Sequence, residues 1–192
     1  MMTLLNFSIA NIIFMFFVFS FIGWLFECVV LEGVFHHKLV NRGFLLGPYI
    51  PIYAAGVFAA YLVANHVREY PTLVFFCGAL MCTSVEFISA LLLEKIFNTR
   101  VWNYGLFPFG KWSVFQNRIS LIPSLFFGVS TVGVIYFLWD FVIGMSARID
   151  YNILLVIDAL FSVAFVVDLI YTSRKFIKNK LSGIHTKIAG ME

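Results

Sequence analysis

Charged residues are scarce in this chain, since Asp, Glu, Lys and Arg make up only 12% of its 192 residues, whereas a soluble domain averages about a quarter. The cysteines Cys28, Cys77 and Cys82 lack metal-ligand spacing, so we interpret them as reduced packing residues. Adjacent His36 and His37 make a poor metal site. No Gly-rich phosphate-binding loop, nucleophile elbow or HExxH motif is present. We therefore predict no metal and no cofactor, and any ATP that drives this protein must bind to another subunit.

The sequence also lacks the pattern of a cleavable signal peptide and that of a nucleic-acid-binding protein. The N-terminus has no basic residues and its apolar run is too long for a signal-peptide core, so no cleavable signal peptide is predicted. The net charge of +3 comes from basic residues spread over loops and the C-terminal end. That distribution is not a nucleic-acid signature, and we predict no nucleic-acid partner.

Long apolar runs fill most of the chain, which is 61% hydrophobic. Most of them have the roughly 17–25 residues needed to cross a hydrocarbon core about 30 Å thick. We therefore predict an all-α, polytopic bundle of about five spans in one domain, residues 1–172, followed by a basic cytoplasmic tail, residues 173–192. The apolar runs are Phe7–Leu31, Ile50–Asn65, Thr72–Leu93, Ile119–Ile143 and Tyr151–Tyr171.

Basic residues alternate between sparse and dense connections along the chain. With five spans, all of the 13 basic residues except Arg68 and Arg148 fall on one side of the membrane. Because cytoplasmic loops carry an excess of Lys and Arg, we predict the N-terminus outside and the C-terminus in the cytoplasm. A re-entrant or interfacial segment at 97–115 would not disturb this arrangement.

The second apolar run begins with Gly47-Pro48-Tyr49-Ile50-Pro51, which cannot form a regular helix. Each proline removes a backbone donor and disfavours helical dihedrals in the residue before it. Non-helical backbone at membrane depth occurs where it is buried in protein or lines a wet cavity, and in transporters it often frames a substrate site. In the fourth run, the small residues Gly128 and Thr131 predict close helix approach.

Charged and polar residues recur near the predicted cytoplasmic ends of the spans. Glu86 and Glu94 lie about 12 Å apart along one helix and share a broad face. Intramembrane ionisable residues are expensive and mark functional sites, so we predict a cytoplasm-facing pocket for a small polar or anionic ligand. The alternative is a structural ion-pair network that locks the bundle. The predicted ligand-binding residues are Glu27, Asn41, Arg42, Glu86, Glu94, Arg100, Trp102, Asn103, Tyr104, Asn117 and Arg118.

Two aspartates of the last run differ in expected role. Asp158, near mid-span, is a candidate proton or cation site, or the partner of an arginine. We expect Asp168 to pair with the basic tail. The stretch Arg174–Lys180 is a candidate contact for anionic lipid.

Two strings carry a family resemblance: FIGWLFE at 21–27 and NRGFLLGPYIPIY at 41–53. With Glu86, LEKIF at 93–97, RVWNY at 100–104 and NRI at 117–119, they resemble the CmpB-type family of bacterial integral membrane proteins, described as type IV ABC transporters. The likeness covers about residues 21–128. It departs from the family at Asn103, where the usual residue is Asp, and at Asn117, where it is Gly.

The resemblance implies a multi-pass protein of the bacterial cytoplasmic membrane that works with partners. One hypothesis is a permease-like or solute-binding subunit of a transport system with an ATPase or second membrane subunit. Another is a membrane-embedded enzyme acting on a lipid headgroup or lipid-linked substrate, in which Glu27, Glu86 or Glu94 is the general base and Arg42 and Arg118 hold a phosphate. A third is a structural or regulatory partner. Membrane lipid and a second copy of the chain are further candidate partners.

Overall fold

The structure, a computed structural model, describes residues 8–34, 40–98, 100, 102–106 and 110–189, with side chains except at 31–34 and 179–189. It confirms the predicted all-α class. In the described ranges the sole sheet is a two-stranded antiparallel pair, Ser113–Val114 with Ile119–Ser120.

The first helix is Ile9–Leu25, extended by π-helical turns at Phe26–Val34. The second is Pro51–Ala64 with a 3-10 turn at Asn65–Val67, and the third is Pro71–Phe97. The fourth is Leu121–Gly133, continued by π-helical turns at Val134–Leu138 and by Trp139–Ala147. The fifth is Tyr151–Ala189.

Four helices in the described ranges are long and apolar enough to cross a membrane: Ile9–Val30, Pro71–Phe97, Leu121–Ala147 and Tyr151–Lys178. The chain is therefore a multi-pass membrane protein. The second predicted span, Ile50–Asn65, forms a shorter apolar helix, Pro51–Val67. At 1.5 Å per residue it is about 25 Å long, which is the lower limit of the length that crosses a hydrocarbon core. The orientation of the termini stays a prediction.

The broken entry to the second helix lies beside the first helix. The backbone amide of Ile50 donates to the carbonyl of Ser20 at 2.9 Å, and Ser20 is completely buried. Ile50 itself is extended, with φ −124° and ψ 95°. This contact confirms that residues before Pro51 enter the bundle without being helical, as the paired prolines predict.

Aromatic packing holds the first, second and fourth helices together. The indole of Trp139 stacks on the ring of Tyr61, with centroids 3.5 Å apart, and lies 6.0 Å from the ring of Phe19. Trp139 and Met15 are almost completely buried in this core. Burying such large side chains contributes strongly to any helix–helix contact.

The third and fourth helices approach each other closely, as their small residues predict. A Cβ atom added at Gly78 would overlap the side chain of Thr131, and one at Gly128 would overlap the ring of Phe75. Small residues at such a crossing allow close backbone packing in lipid, where the hydrophobic effect does not drive helices together.

The two ends of the bundle carry different polar contacts. The loop end is the end at which residues 40–50 and the described residues of 98–120 lie, and the opposite end contains residues 65–70 and 148–150. At the opposite end Arg68 Nη2 pairs with Asp140 Oδ2 at 2.7 Å, and the Tyr136 hydroxyl donates to the carbonyl of Arg68. These contacts fix the turn between the second and third helices to the fourth helix.

The fifth helix is fastened to the loop end through Asp168. Its carboxylate accepts from the backbone amides of Leu46 and Gly47 at 3.2 and 2.8 Å, and from the hydroxyls of Tyr49 and Thr172 at 2.7 and 2.9 Å. These partners differ from the basic tail that we expected. The helix continues unbroken to Ala189, so the backbone does not mark the domain boundary predicted after residue 172, which stays a prediction.

The described residues between Asn98 and Ser120 fold back along the third helix. That helix ends at Phe97, and Asn98 follows in the left-handed conformation with φ 47°. The Phe115 ring then lies 5.3 Å from the ring of Phe87, about 15 Å before the end of the helix. The hairpin turn holds Phe115, Gln116 and Asn117 at φ 51°, 59° and 65°, a run that is rare for residues other than glycine.

Candidate functional site

Glu86 is a buried carboxylate on the third helix, with 7% of its surface exposed. The hydroxyl of Tyr104, which reaches it from the folded-back segment, donates to its Oε1 atom. Its Oε2 atom is buried and has no hydrogen-bond partner among the described residues. A buried polar atom left without a partner costs free energy, so this oxygen is a position at which a ligand could gain by donating.

Glu27 lies in the π-helical turns that extend the first helix. Its Oε1 atom accepts a 2.6 Å hydrogen bond from the hydroxyl of Tyr53, two residues into the second helix. Its Oε2 atom lies 3.5 Å from Nε of Arg42. π-Helical turns inside α-helices occur frequently at functional sites, because they redirect side chains that a regular helix would place elsewhere.

Glu27, Arg42, Tyr53, Glu86 and Tyr104 form one group, which we call the carboxylate cluster. Burial raises the pKa of the Tyr104 hydroxyl, the carboxylates of Glu86 and Glu27 raise it further, and the guanidinium of Arg42 opposes them. Tyr104 therefore stays protonated at neutral pH and remains a hydrogen-bond donor. The cluster joins five parts of the chain around two carboxylates.

Asn41 shapes the turn that presents Arg42. Its Oδ1 atom accepts from the backbone amide of Gly43 at 2.9 Å and from the indole of Trp24 at 3.0 Å. Its Nδ2 atom donates to the carbonyls of Leu45 and Leu46. The backbone amide of Arg42 in turn donates to the Cys28 sulfur at 3.2 Å. Asn41 and Cys28 thus position the segment that carries the guanidinium.

Tyr49 ties the same segment to the fifth helix. Its hydroxyl donates to Asp168; burial and the Asp168 carboxylate raise its pKa, with burial the larger cause. The backbone amide of Tyr49 also donates to the carbonyl of Gly47 at 2.9 Å. The loop before the second helix is therefore held on one side by the first helix and on the other by the fifth.

Glu94, Arg100 and Arg118 form a second group, the arginine cluster. Arg118 Nη2 lies 2.7 Å from Glu94 Oε2, its Nε donates to the same carboxylate, and Arg100 Nε lies 3.2 Å from Glu94 Oε1. Arg118 Nη1 also donates to Gln116 Oε1 at 2.7 Å. Such multidentate pairing is strong and specific in geometry, and here it fastens the hairpin to the end of the third helix.

The remaining predicted residues hold the hairpin itself. Trp102 Nε1 donates to the carbonyl of Arg118 at 3.1 Å. Asn103 Oδ1 accepts from the backbone amide of Gly105, and Asn117 Oδ1 accepts from the Ser113 hydroxyl at 2.6 Å. These contacts organise the loop that carries Tyr104.

The structure thus places some of the predicted residues in the two clusters and the others, Asn41, Trp102, Asn103 and Asn117, in the loops beside them. It also adds one residue that the prediction missed. Tyr53 follows directly after Pro51-Ile52 in an apolar run, and a tyrosine in such a run is normally interpreted as a packing residue. The signal available in the sequence was its place two residues after the proline at which the helix begins, shortly after the predicted residues Asn41 and Arg42.

Two grooves lie on the described surface. One, of about 440 Å³, is lined by Leu91, Glu94, Lys95, Asn98 and Arg100, beside the arginine cluster. The other, of about 370 Å³, has a mostly apolar lining that includes Phe16, Phe58 and Phe165 from the first, second and fifth helices.

Four apolar helices in the described ranges are long enough to span a membrane and define a multi-pass membrane protein, and Glu86 is a buried carboxylate on one of them. Residues 14–173 match the model of the family described as "Putative ABC-transporter type IV", so the chain belongs to that family and is related to ABC transporters. This confirms the resemblance found in the sequence. Neither the curated proteins nor the solved structures gave a match.

Proposed function

We propose that this chain is a permease-like or solute-binding membrane subunit of a bacterial transport system, located in the cytoplasmic membrane. Its carboxylate cluster would bind a small polar ligand from the loop end. The observation that carries the proposal is Glu86, an intramembrane carboxylate with an oxygen that is buried and has no donor among the described residues. Family membership supports the role in transport.

A carboxylate in the membrane with an unpaired oxygen lowers the free energy of unfolding, and a purely structural role does not account for this loss. Intramembrane carboxylates are expensive and usually mark ligand or ion paths, whereas a structural network satisfies its members. The arginine cluster fits that structural description, because Glu94 is paired with two guanidinium groups. Ligand binding is therefore assigned to Glu27 and Glu86, and Glu94, Arg100 and Arg118 support the hairpin.

The lipid-directed enzyme remains the second candidate. It requires guanidinium groups that can grip a phosphate, and a carboxylate to act as base. Arg42 is paired with Glu27, and Arg118 with Glu94, so a phosphate would have to displace a carboxylate from each of them. That competition favours the transport subunit.

Gentle affinity purification of the tagged chain from its native membrane tests the proposal. We expect a stoichiometric ATPase to co-purify, and we expect Glu86→Gln to change the ATP hydrolysis of the purified assembly. Asp140→Asn is the matched control, because Asp140 is a carboxylate of the same bundle at the opposite end. Its assembly should hydrolyse ATP at the wild-type rate.

Two outcomes would contradict the proposal. Recovery of the chain alone, with one retained lipid that Glu27→Gln loses, would favour the enzyme. Recovery of an ATPase whose rate is the same in wild type, Glu86→Gln and Glu27→Gln would remove the carboxylate cluster from the transport function.

A further inference from the structure

The charge of the ligand can be argued from the charges already present at the loop end. Arg42 is paired with Glu27, and Arg100 and Arg118 are both paired with Glu94. An anion at this end would have to compete with a carboxylate for each guanidinium. Because breaking such a pair leaves a partly buried charge without its partner, an anionic ligand is disfavoured.

The carboxylate cluster by itself has more acidic than basic side chains. It contains two carboxylates, Glu27 and Glu86, and one guanidinium, Arg42, so its formal charge with both acids ionised is negative. Its other members, Tyr53 and Tyr104, contribute neutral hydroxyl donors. Buried ions in proteins are normally neutralised by a partner, and one positive charge would complete this group.

The position of that charge follows from the hydrogen bonds. Both Glu27 oxygens have partners, the Tyr53 hydroxyl and the Arg42 guanidinium. Glu86 Oε1 takes the Tyr104 hydroxyl, and Glu86 Oε2 has no partner among the described residues. A positively charged group would therefore be placed at Glu86 Oε2, where it meets one oxygen that needs a donor and the negative potential of both carboxylates.

We infer that the ligand of the carboxylate cluster is cationic and that its positively charged group binds at Glu86 Oε2. This rests on the proposed function and narrows the polar ligand to one charge class. Two sources share this chemistry: an organic ammonium group, which donates through N–H, and an alkali-metal ion, which is coordinated directly. Hydrogen bonding to a buried carboxylate favours the ammonium, since the oxygen lacks a donor.

Thermal unfolding of the purified full chain in detergent tests the inference, because a ligand that binds only the folded state raises the unfolding midpoint in a saturable way. The probes are the chloride salts of methylammonium, ethanolammonium, sodium, potassium and tetramethylammonium, each compared at equal ionic strength. Tetramethylammonium carries the charge without an N–H donor. The tetramethylammonium salts of sulfate and phosphate form the anion arm.

We expect saturable stabilisation by methylammonium or ethanolammonium and none by tetramethylammonium. In Glu86→Gln the apparent affinity should fall by at least about tenfold, the loss expected for one charged hydrogen bond, and Asp140→Asn should behave as wild type. Saturable stabilisation by sodium or potassium alone, lost in Glu86→Gln, would assign the metal-ion source.

Tyr104→Phe provides a second variant should Glu86→Gln fail to fold. Without the tyrosine hydroxyl both Glu86 oxygens need a donor, so the affinity for the ammonium probe should rise. Saturable stabilisation by sulfate or phosphate overturns the inference, and so does the absence of any saturable cation effect. Either result leaves the proposed function standing if the ATPase still co-purifies and responds to Glu86→Gln, so the two can fail separately.

Discussion

The hydroxyl of Tyr104 donates to one carboxylate oxygen of Glu86, whose other oxygen is buried and has no donor among the described residues. Tyr104 belongs to the segment that folds back along the third helix, and Glu86 belongs to the helix itself. One hydrogen bond thus ties a long connection to an intramembrane carboxylate. The position of the hairpin and the state of the proposed binding site are coupled through it.

Tyr104→Phe should therefore destabilise the protein in the absence of ligand. It removes the one described donor to Glu86 while keeping the ring, and hydrogen bonds to charged groups contribute about 1.5–3 kcal/mol. We expect the free energy of unfolding in detergent to fall by about 1–3 kcal/mol. Tyr151→Phe is the control, because Tyr151 is 55% exposed. An unchanged unfolding free energy in Tyr104→Phe would contradict the contact.

Asp158 and Asp168, ten residues apart on the fifth helix, should respond oppositely to the same substitution. Asp168 accepts four hydrogen bonds, whereas Asp158 is 3% exposed and neither of its carboxylate oxygens has a partner in the described part of the chain. Asp168→Asn should lower the free energy of unfolding by about 1–3 kcal/mol. Asp158→Asn should leave it unchanged or raise it, because the substitution removes an uncompensated buried charge.

Denaturant unfolding of both variants beside wild type measures this difference. A large loss in Asp158→Asn would show that its carboxylate is needed by a group outside the described residues. Such a loss would support the prediction from the sequence that Asp158 binds an ion or pairs with an arginine. Until then this stays a prediction.

These aspartates also show where sequence reasoning reaches its limit. The apolar runs predicted the helices because length and hydrophobicity determine a span directly. The partners of Asp168 include two backbone amides, which leave no residue-specific pattern in the sequence. Likewise, the charges of Glu86 and Glu94 predicted that both residues belong to a functional site. The sequence does not show that they lie in two separate clusters, because this depends on how the hairpin packs against the third helix.

Tyr53 illustrates the same limit on the site. A tyrosine in an apolar run is most often a packing residue, and its hydroxyl becomes visible as a donor to Glu27 only when the first two helices are placed together. In contrast, Glu27 and Arg42 could be predicted, since charged residues at the edges of apolar runs are costly and an acid and a base close in depth are expected to pair.

Gly78→Ala should weaken the contact between the third and fourth helices. The added Cβ atom would overlap the Thr131 side chain, and overpacking of this kind costs about 1–3 kcal/mol. Gly144→Ala is the matched control, because a Cβ atom there would meet no atom within 4 Å beyond its chain neighbours and its own helix backbone, and alanine favours helix by about 1 kcal/mol. Unfolding midpoints should fall in the first variant and hold or rise in the second; equal midpoints would refute the close approach.

Alkaline pH should destabilise the protein through Tyr49 and Tyr104. Their pKa values are raised in the folded state, above the ordinary value of 10.0, so the unfolded state loses these protons first. Their contribution to stability is complete below pH 10 and is lost as pH rises from there toward the folded-state pKa values. Unfolding midpoints measured from pH 8 to about 11 should fall more steeply in wild type than in Tyr104→Phe. Parallel curves would contradict this assignment.

Glu86 and Glu94 provide the sharpest separation of binding from structure, because both are glutamates of the third helix and differ mainly in their partners. Glu94→Gln leaves Arg100 and Arg118 without their shared carboxylate, so its unfolding midpoint should fall and the loss should shrink at high salt, which screens exposed charges. Glu86→Gln keeps an acceptor for Tyr104 and removes a buried charge, so its midpoint should stay near that of wild type.

The ammonium response should show the reverse pattern. Glu94→Gln should keep the saturable stabilisation by methylammonium or ethanolammonium, measured from its own lower midpoint, and Glu86→Gln should lose it. If both variants lost the response equally, the hairpin and the carboxylate cluster would act as one ligand site, as the sequence-based prediction grouped them. If neither lost it, the cation would bind elsewhere, and the division between the two clusters would carry no functional meaning.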